Sequence, residues 1–223
     1  MTRSAVLFDV GGPIDTETAF ERRADAAIRA AVPGVGNAAY EAACRLAVDS
    51  FAPNAYQAIL WTLVGEAAAA AWPAVAARIG RTEALELRPG IAALLHDLVR
   101  RGMKLGLAAN QPESVLGLLD AAGIGGCFAH REVSGTSGLR KPDVRVFLRA
   151  CAALDVAPEQ CVMVGDRIDN DIMPARVLGM ATIRVRGGRH AAQRPRSWLE
   201  TPDAEVTDVP QLAEALRRLF QIS

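Results

Sequence analysis

The chain has 223 residues, 51% of them hydrophobic and 22% charged, and 25 basic side chains balance 25 acidic ones. That length buries roughly 70% of the unfolded surface, enough for one large core or a core with a smaller lobe, and the composition excludes a disordered or fibrous chain. Zero net charge excludes a general electrostatic hold on nucleic acid, and no apolar run nears the ~20 residues that span a bilayer, so neither nucleic acid nor membrane is an expected partner.

In chain order, the first element is the apolar run Ala5-Val6-Leu7-Phe8, which ends at Asp9 and opens into Val10-Gly11-Gly12-Pro13-Ile14-Asp15. A carboxylate at the tip of a buried strand costs on the order of 2–7 kcal/mol unless something pairs with it. A metal ion, a lysine or both are therefore expected beside Asp9. From about Glu17 to Leu87 the chain is alanine-rich with little β signal, punctuated by Pro33-Gly34-Val35-Gly36 and Ala52-Pro53-Asn54. This predicts about four helices, too alanine-rich for a strong core of their own and expected to act as a lid. Pro89-Gly90 then returns the chain to a regular alternation of strand and helix.

The later strands are expected at Lys104–Ala108, Ala129–Val133, Cys161–Val164 and Ala181–Val185. Helical faces are formed by Ile91, Leu94, Leu95, Leu98 and Val99, by Val115, Leu116, Leu118 and Leu119, by Val144, Phe147, Leu148 and Leu154, and by Leu212, Leu216, Leu219 and Phe220. Such alternation predicts an α/β fold, a Rossmann-like parallel sheet covered by helices with its working site at the carboxyl ends of the strands. The expected division is an α/β core of residues 1–15 and 88–223 and a helical domain of residues 16–87. The arginine-rich stretch Arg184 to Arg196 is expected to be a solvated loop. Cys44, Cys127, Cys151 and Cys161 form no C-x-x-C pair and lie mostly among apolar neighbours. They read as buried thiols of a reducing compartment. With the first strand starting at Ala5, no room is left for a signal peptide, and a cytoplasmic location is expected.

Three further segments place polar residues at strand ends. Gly106-Leu107-Ala108-Ala109-Asn110 closes the second strand in an amide, and Arg140-Lys141-Pro142-Asp143 puts a lysine before a proline suited to start a helix. Val164-Gly165-Asp166 is followed by Asn170-Asp171. Asp166 or Asp171 alone would read as a loop or helix cap. Carboxylates converging from two strand tips instead suit a hard cation such as Mg²⁺.

In this order and spacing, Asp9, Lys141-Pro142, and Gly165-Asp166 with Asn170-Asp171 resemble the haloacid dehalogenase (HAD) superfamily. The resemblance extends over nearly the whole chain, and the helical insert is similar to that family's helical cap. It implies a HAD-like hydrolase, a phosphatase of a small phosphorylated substrate working through an aspartyl-phosphate. Asp9 would be the nucleophile, and Lys141 would hold Asp9 and a phosphate oxygen. Mg²⁺ would sit among Asp9, Asp166 and the backbone carbonyl of Gly11, supported by Asp171. Gly11, Gly12 and Asn110 are the expected substrate contacts; Asp15 and Asp169 read as surface or turn residues, and Asn170 as structural.

The departures from the family pattern bear on activity. The position two after the nucleophile, normally an aspartate that serves as acid and base, is Gly11, and such a loss costs roughly 10²- to 10⁴-fold in rate. A usual threonine is Pro13, and the phosphate-binding serine or threonine of the second strand is Ala109. The leading expectation is a Mg²⁺-dependent phosphatase with weakened proton transfer. A second reading is a non-catalytic protein that binds a phosphorylated ligand or a partner, and a third is a haloacid dehalogenase-type hydrolase, which needs no second aspartate. Phosphonatase chemistry needs a lysine in the insert, and no lysine precedes Lys104. Arg22, Arg23, Tyr56 and Trp61 are candidate substrate contacts from the insert, the alternative being that the aromatics fill its core and the arginines are solvated. His96, His130 and His190 match no family position and are expected at the surface.

Overall fold

The computed structural model describes residues 3–80 and 82–220. The chain divides into two compact units: Met1–Thr16, Ala84–Gly187 and Pro195–Ser223 form an α/β unit, and Glu17–Glu83 with Gly188–Arg194 form a helical one. In chain order the elements are β1 (Ala5–Phe8), α1 (Thr18–Ala31), α2 (Asn37–Asp49), α3 (Ala55–Val64), α4 (Ala67–Ile79), α5 (Ile91–Arg100), β2 (Lys104–Ala109), α6 (Val115–Ala121), β3 (His130–Val133), α7 (Ser134–Ser137), α8 (Val144–Ala153), β4 (Cys161–Gly165), α9 (Met173–Val177), β5 (Ala181–Val185), β6 (Ala204–Val206) and α10 (Val209–Phe220). Among the described residues no helix is long and apolar enough to cross a membrane.

The α/β unit is built on a six-stranded sheet of order β3-β2-β1-β4-β5-β6 with every neighbouring pair parallel. Because side chains alternate along a strand, Val6 and Phe8 join one core with Ile91, Leu95, Leu212 and Leu216. Ala5 and Leu7 join another with Val146, Phe147, Ala150 and Met163. Burial on both faces explains why the inner strands read as continuous apolar runs. Strand order reverses between β1 and β4, the place where an open parallel sheet leaves a crevice at its carboxyl edge. Phe8 lies level with Leu107 of β2 and Val164 of β4, so Asp9, Asn110 and Asp166 all follow strands at that edge.

Four helices form between β1 and α5, as the sequence predicts. They carry a contiguous core of their own, including Ala24, Ile28, Tyr40, Ala43, Ile59, Leu60 and Val75, so the expectation of a weak core is corrected. Alanines at Ala24, Ala43 and Ala47 let neighbouring helices approach closely while the larger residues fill the space left.

The arginine-rich stretch is also corrected, because two of its members are not solvated. Arg184 lies in β5 with only 1% of its surface exposed. Arg189 packs inside the helical unit, where its backbone N–H donates to Glu21 Oε1 at 2.6 Å and its guanidinium pairs with Asp25 and lies 4.9 Å from the Tyr56 ring centroid. Proline does not start α8 either: the helix begins at Val144, and the Asp143 carboxylate caps it by accepting from Arg145 N–H at 2.9 Å. Pro142 precedes the cap, joined to Lys141 by a cis peptide.

Candidate active site

At the tip of β1, Asp9 donates its N–H to Val164 O at 2.9 Å, tying it to β4. Its Oδ1 accepts from Val10 N–H at 2.8 Å. The cation expected beside it is Lys141, which arrives from the loop between α7 and α8. The Lys141 side chain is wholly buried, and Nζ lies 2.9 Å from Asp9 Oδ2 and 2.6 Å from Asp171 Oδ1. Burial pulls the lysine pKa down, but Asp171 and Asp9 together outweigh it and hold it above the ordinary value. Lys141 is therefore an ammonium at neutral pH.

Asp171 lies in a turn of π-helix, Ile168–Ile172, that runs into α9. Wide turns of this kind often sit at functional sites, and here the turn directs Asp171 back beneath β4. Its Oδ2 accepts from the N–H groups of Asp166 at 3.1 Å and Arg167 at 3.0 Å, while Oδ1 takes the lysine. A carboxylate has about four acceptor positions, so three are already used. Desolvation pushes the Asp171 carboxyl up to about 6, with Lys141 acting against it and Asp9 adding to it. Gly165 makes this packing possible, since a Cβ there would lie 2.3 Å from Asp171 Cγ.

Asp9, Asp166 and Asp171 each place a carboxylate oxygen within 4.8 Å of the others. Three carboxylates and one ammonium leave a formal excess of two negative charges in a nearly dry site. The donor set is oxygen only, which fits a hard divalent cation of the Mg²⁺ class. Asp171, wholly buried, holds Lys141 and the backbone of Asp166 and Arg167.

Two expected substrate contacts turn out to be occupied internally. Asn110 uses both ends of its side-chain amide on the backbone of Lys141, donating to Lys141 O at 2.9 Å and accepting from Lys141 N–H at 2.8 Å. It positions the lysine loop. Gly12 donates its N–H to Asp15 O at 2.8 Å and accepts at its carbonyl from Arg88. Gly11 is buried in the same loop and pairs with Asp15 in a single bridge. Ala109 ends β2 fully buried and offers no hydroxyl. Asp15, expected as a surface or turn residue, closes the turn of residues 12–14 but is buried, its Oδ1 accepting from Glu86 N–H at 3.1 Å. Asp169 is half-buried and pairs with Arg167.

Two arginines that grip this site escape a sequence reading. Arg184 Nε donates to Asp166 O at 3.1 Å while Nη1 pairs with Glu205 at 3.0 Å. A charge inside the β-branched run Thr182-Ile183-Arg184-Val185 was a usable signal, because a buried guanidinium needs acceptors. Arg88, just before Pro89-Gly90, carried no comparable signal. Within the helical unit, Arg22 and Trp61 are exposed, Arg23 donates to Ile79 O at 3.1 Å, and Tyr56 stacks edge-on to Phe20 at 5.6 Å. His96 is exposed with Nδ1 3.4 Å from Cys127 Sγ, and His130 pairs with the buried Glu132 at 3.2 Å.

A family model for haloacid dehalogenase-like hydrolases matches residues 4–179. The chain is 35% identical to glyceraldehyde 3-phosphate phosphatase of Methanopyrus kandleri over 136 residues, covering 59% of this chain and 57% of the relative. It is 38% identical to phosphoserine phosphatase of Thermus thermophilus over 133 residues, 58% of this chain and 52% of the relative. The chain thus spans little more than half the length of these curated relatives. Among solved structures, the HAD-hydrolase YfnB of Bacillus subtilis, determined bound to magnesium, superposes over all of both chains with a TM-score of 0.71 at 18% identity, a likeness of fold. The chain belongs to the haloacid dehalogenase-like hydrolases.

Proposed function

We propose that the chain is a Mg²⁺-dependent phosphatase of a small phosphorylated metabolite, working through an aspartyl-phosphate on Asp9, with the helical residues 16–87 as its cap. The observation that carries this reading is the buried contact of Lys141 with both Asp9 and Asp171, beside a third carboxylate, Asp166. Asp9, Asp166 and the Gly11 carbonyl would hold the metal, which would supply charge neutralisation between nucleophile and phosphate. Lys141 holds Asp9 in place and shields it from the like charge of Asp171. The relatives named for glyceraldehyde 3-phosphate and phosphoserine support a small substrate, and four free thiols support a reducing, cytoplasmic setting.

In the first step an Asp9 oxygen bonds to phosphorus while the ester P–O bond breaks, and the leaving oxygen keeps the electron pair. In the second, water bonds to phosphorus, the Asp9 O–P bond breaks, and a proton is released. An alkoxide leaving group needs a proton in the first step and the attacking water gives one up in the second, yet Val10-Gly11-Gly12-Pro13-Ile14 carries no side chain able to hold one. Esters with leaving groups stable as anions, such as acyl and aryl phosphates, are accordingly favoured over alkyl phosphates. A panel of both kinds, assayed with Mg²⁺ on the native protein, Asp9→Asn and Gly11→Asp, tests the reading. Loss in Asp9→Asn with a gain on alkyl esters in Gly11→Asp supports it; indifference to both changes overturns it. Gly11 without a carboxylate and Ala109 without a hydroxyl favour a second reading, a phospholigand-binding protein, for which the native protein turns over neither class.

A further inference from the structure

Residues 14–16 and 86–88 run antiparallel. Arg88 N–H donates to Ile14 O at 2.8 Å, Thr16 N–H donates to Glu86 O at 2.9 Å, and Asp15 bridges to Leu87. The Arg88 side chain carries this contact on to Gly12, two residues before Ile14. Its Nε and Nη2 both donate to Gly12 O, at 2.9 and 2.7 Å, and Nη1 reaches Thr207 O at 3.4 Å. Gly187 leaves room for the guanidinium, since a Cβ there would lie 2.8 Å from Nη2. One half-buried cation is therefore seated against three backbone segments.

What it grips is the softest part of the nucleophile loop. Adjacent glycines have the widest backbone freedom available, and Gly11-Gly12 immediately follows Asp9-Val10. The Gly12 N–H bond to Asp15 O fixes the Gly11–Gly12 peptide, and because a trans peptide is planar, that bond also aims the Gly11 carbonyl the opposite way. Arg88 fixes the next peptide. Between the two, Gly12 at φ +83° rests on Asp166 so closely that a Cβ would lie 2.5 Å from Asp166 Cβ.

We propose that Arg88 is a positioning residue of the metal site: its two-pronged grip on Gly12 O sets the aim of the Gly11 carbonyl and the seating of the loop on Asp166, and through them the affinity for a divalent cation. This rests on the proposed reading of Asp9, Gly11 and Asp166 as a Mg²⁺ site. Lysine cannot substitute, because an ammonium is a point charge without the planar fork.

The test is Mg²⁺ titration by calorimetry on the native protein, Arg88→Met, Arg88→Lys and Gly187→Ala, with metal-free melting of each. Loss of a group that orients a metal ligand weakens affinity by roughly 10- to 100-fold, and that is the expected result for Arg88→Met, with Arg88→Lys close to it. Gly187→Ala keeps the guanidinium but displaces Nη2, so it weakens binding in the same direction and decides the matter if Arg88→Met does not fold. A folded Arg88→Met that binds Mg²⁺ within about twofold of the native protein overturns the proposal, even if its melting temperature drops. Native protein that binds no Mg²⁺ overturns the metal reading itself, a different result.

Discussion

Lys141→Met removes the cation at the centre of the site while keeping most of the side-chain length. Asp171, wholly buried, then faces Asp9 and Asp166 without the ammonium that lies 2.6 Å from it in the native protein. Removing one partner of a buried pair costs about 3–5 kcal/mol. Proton uptake sets a ceiling: neutralising Asp171 at pH 8, from an unfolded pKa near 3.9, costs about 5.6 kcal/mol at 1.36 kcal/mol per unit. The sign with pH follows from the same group. In the native protein the folded carboxyl, at about 6, lies above its ordinary value, so its contribution to stability falls as pH rises from about 4 to about 6 and is level above that. In the variant the folded value is higher still, since the lysine that lowers it is gone. Between pH 8 and pH 6 the variant therefore recovers up to about 2.7 kcal/mol that the native protein does not. Urea unfolding of metal-free protein, followed by circular dichroism at pH 8, 6 and 5, measures this. A variant within about 1 kcal/mol of native at pH 8, or a gap that widens as pH falls, refutes the buried triad.

Other outcomes are expected from single contacts. Gly12→Ala combines a φ of +83° with a Cβ 2.5 Å from Asp166, whereas Gly34→Ala has φ +88° and open space. Both lose about 1–3 kcal/mol to backbone strain, and thermal melting should show the larger drop in Gly12→Ala. Asn110→Ala removes both side-chain bonds to the Lys141 backbone. It should cost about 1–3 kcal/mol in urea unfolding, an effect absent if Asn110 faced only solvent. Arg189→Met unties Gly188–Arg194 from Asp25 and Tyr56. Hydrogen exchange of that segment and of α1 should accelerate, with β1 and β4 unchanged.

Much of the α/β unit was legible because buried parallel strands read as apolar runs and the covering helices as periodic stripes. β6 was not: Ala204-Glu205-Val206 is three residues long at the sheet edge, with no periodicity to detect. Asp9, Lys141, Asp166 and Asp171 stood out because a charge beside a buried strand demands a partner, and three of the four are brought together through Lys141. Asn110 was legible as a polar strand tip, but a sequence does not distinguish an amide that meets substrate from one that braces a neighbouring loop. Arg189 meets Asp25 across 164 residues, a pairing that local pattern cannot reveal. Arg88 reads as an ordinary loop arginine until the backbone carbonyl it grips is seen.

On the proposed function, Asp9 is a nucleophile whose adduct forms more readily than it clears. Native protein is incubated with acetyl phosphate and Mg²⁺, then analysed by intact mass and peptide mapping. The expected result is a Mg²⁺-dependent phosphoryl adduct on the peptide containing Asp9, absent in Asp9→Asn and shorter-lived in Gly11→Asp. No adduct, or one that persists in Asp9→Asn, contradicts it.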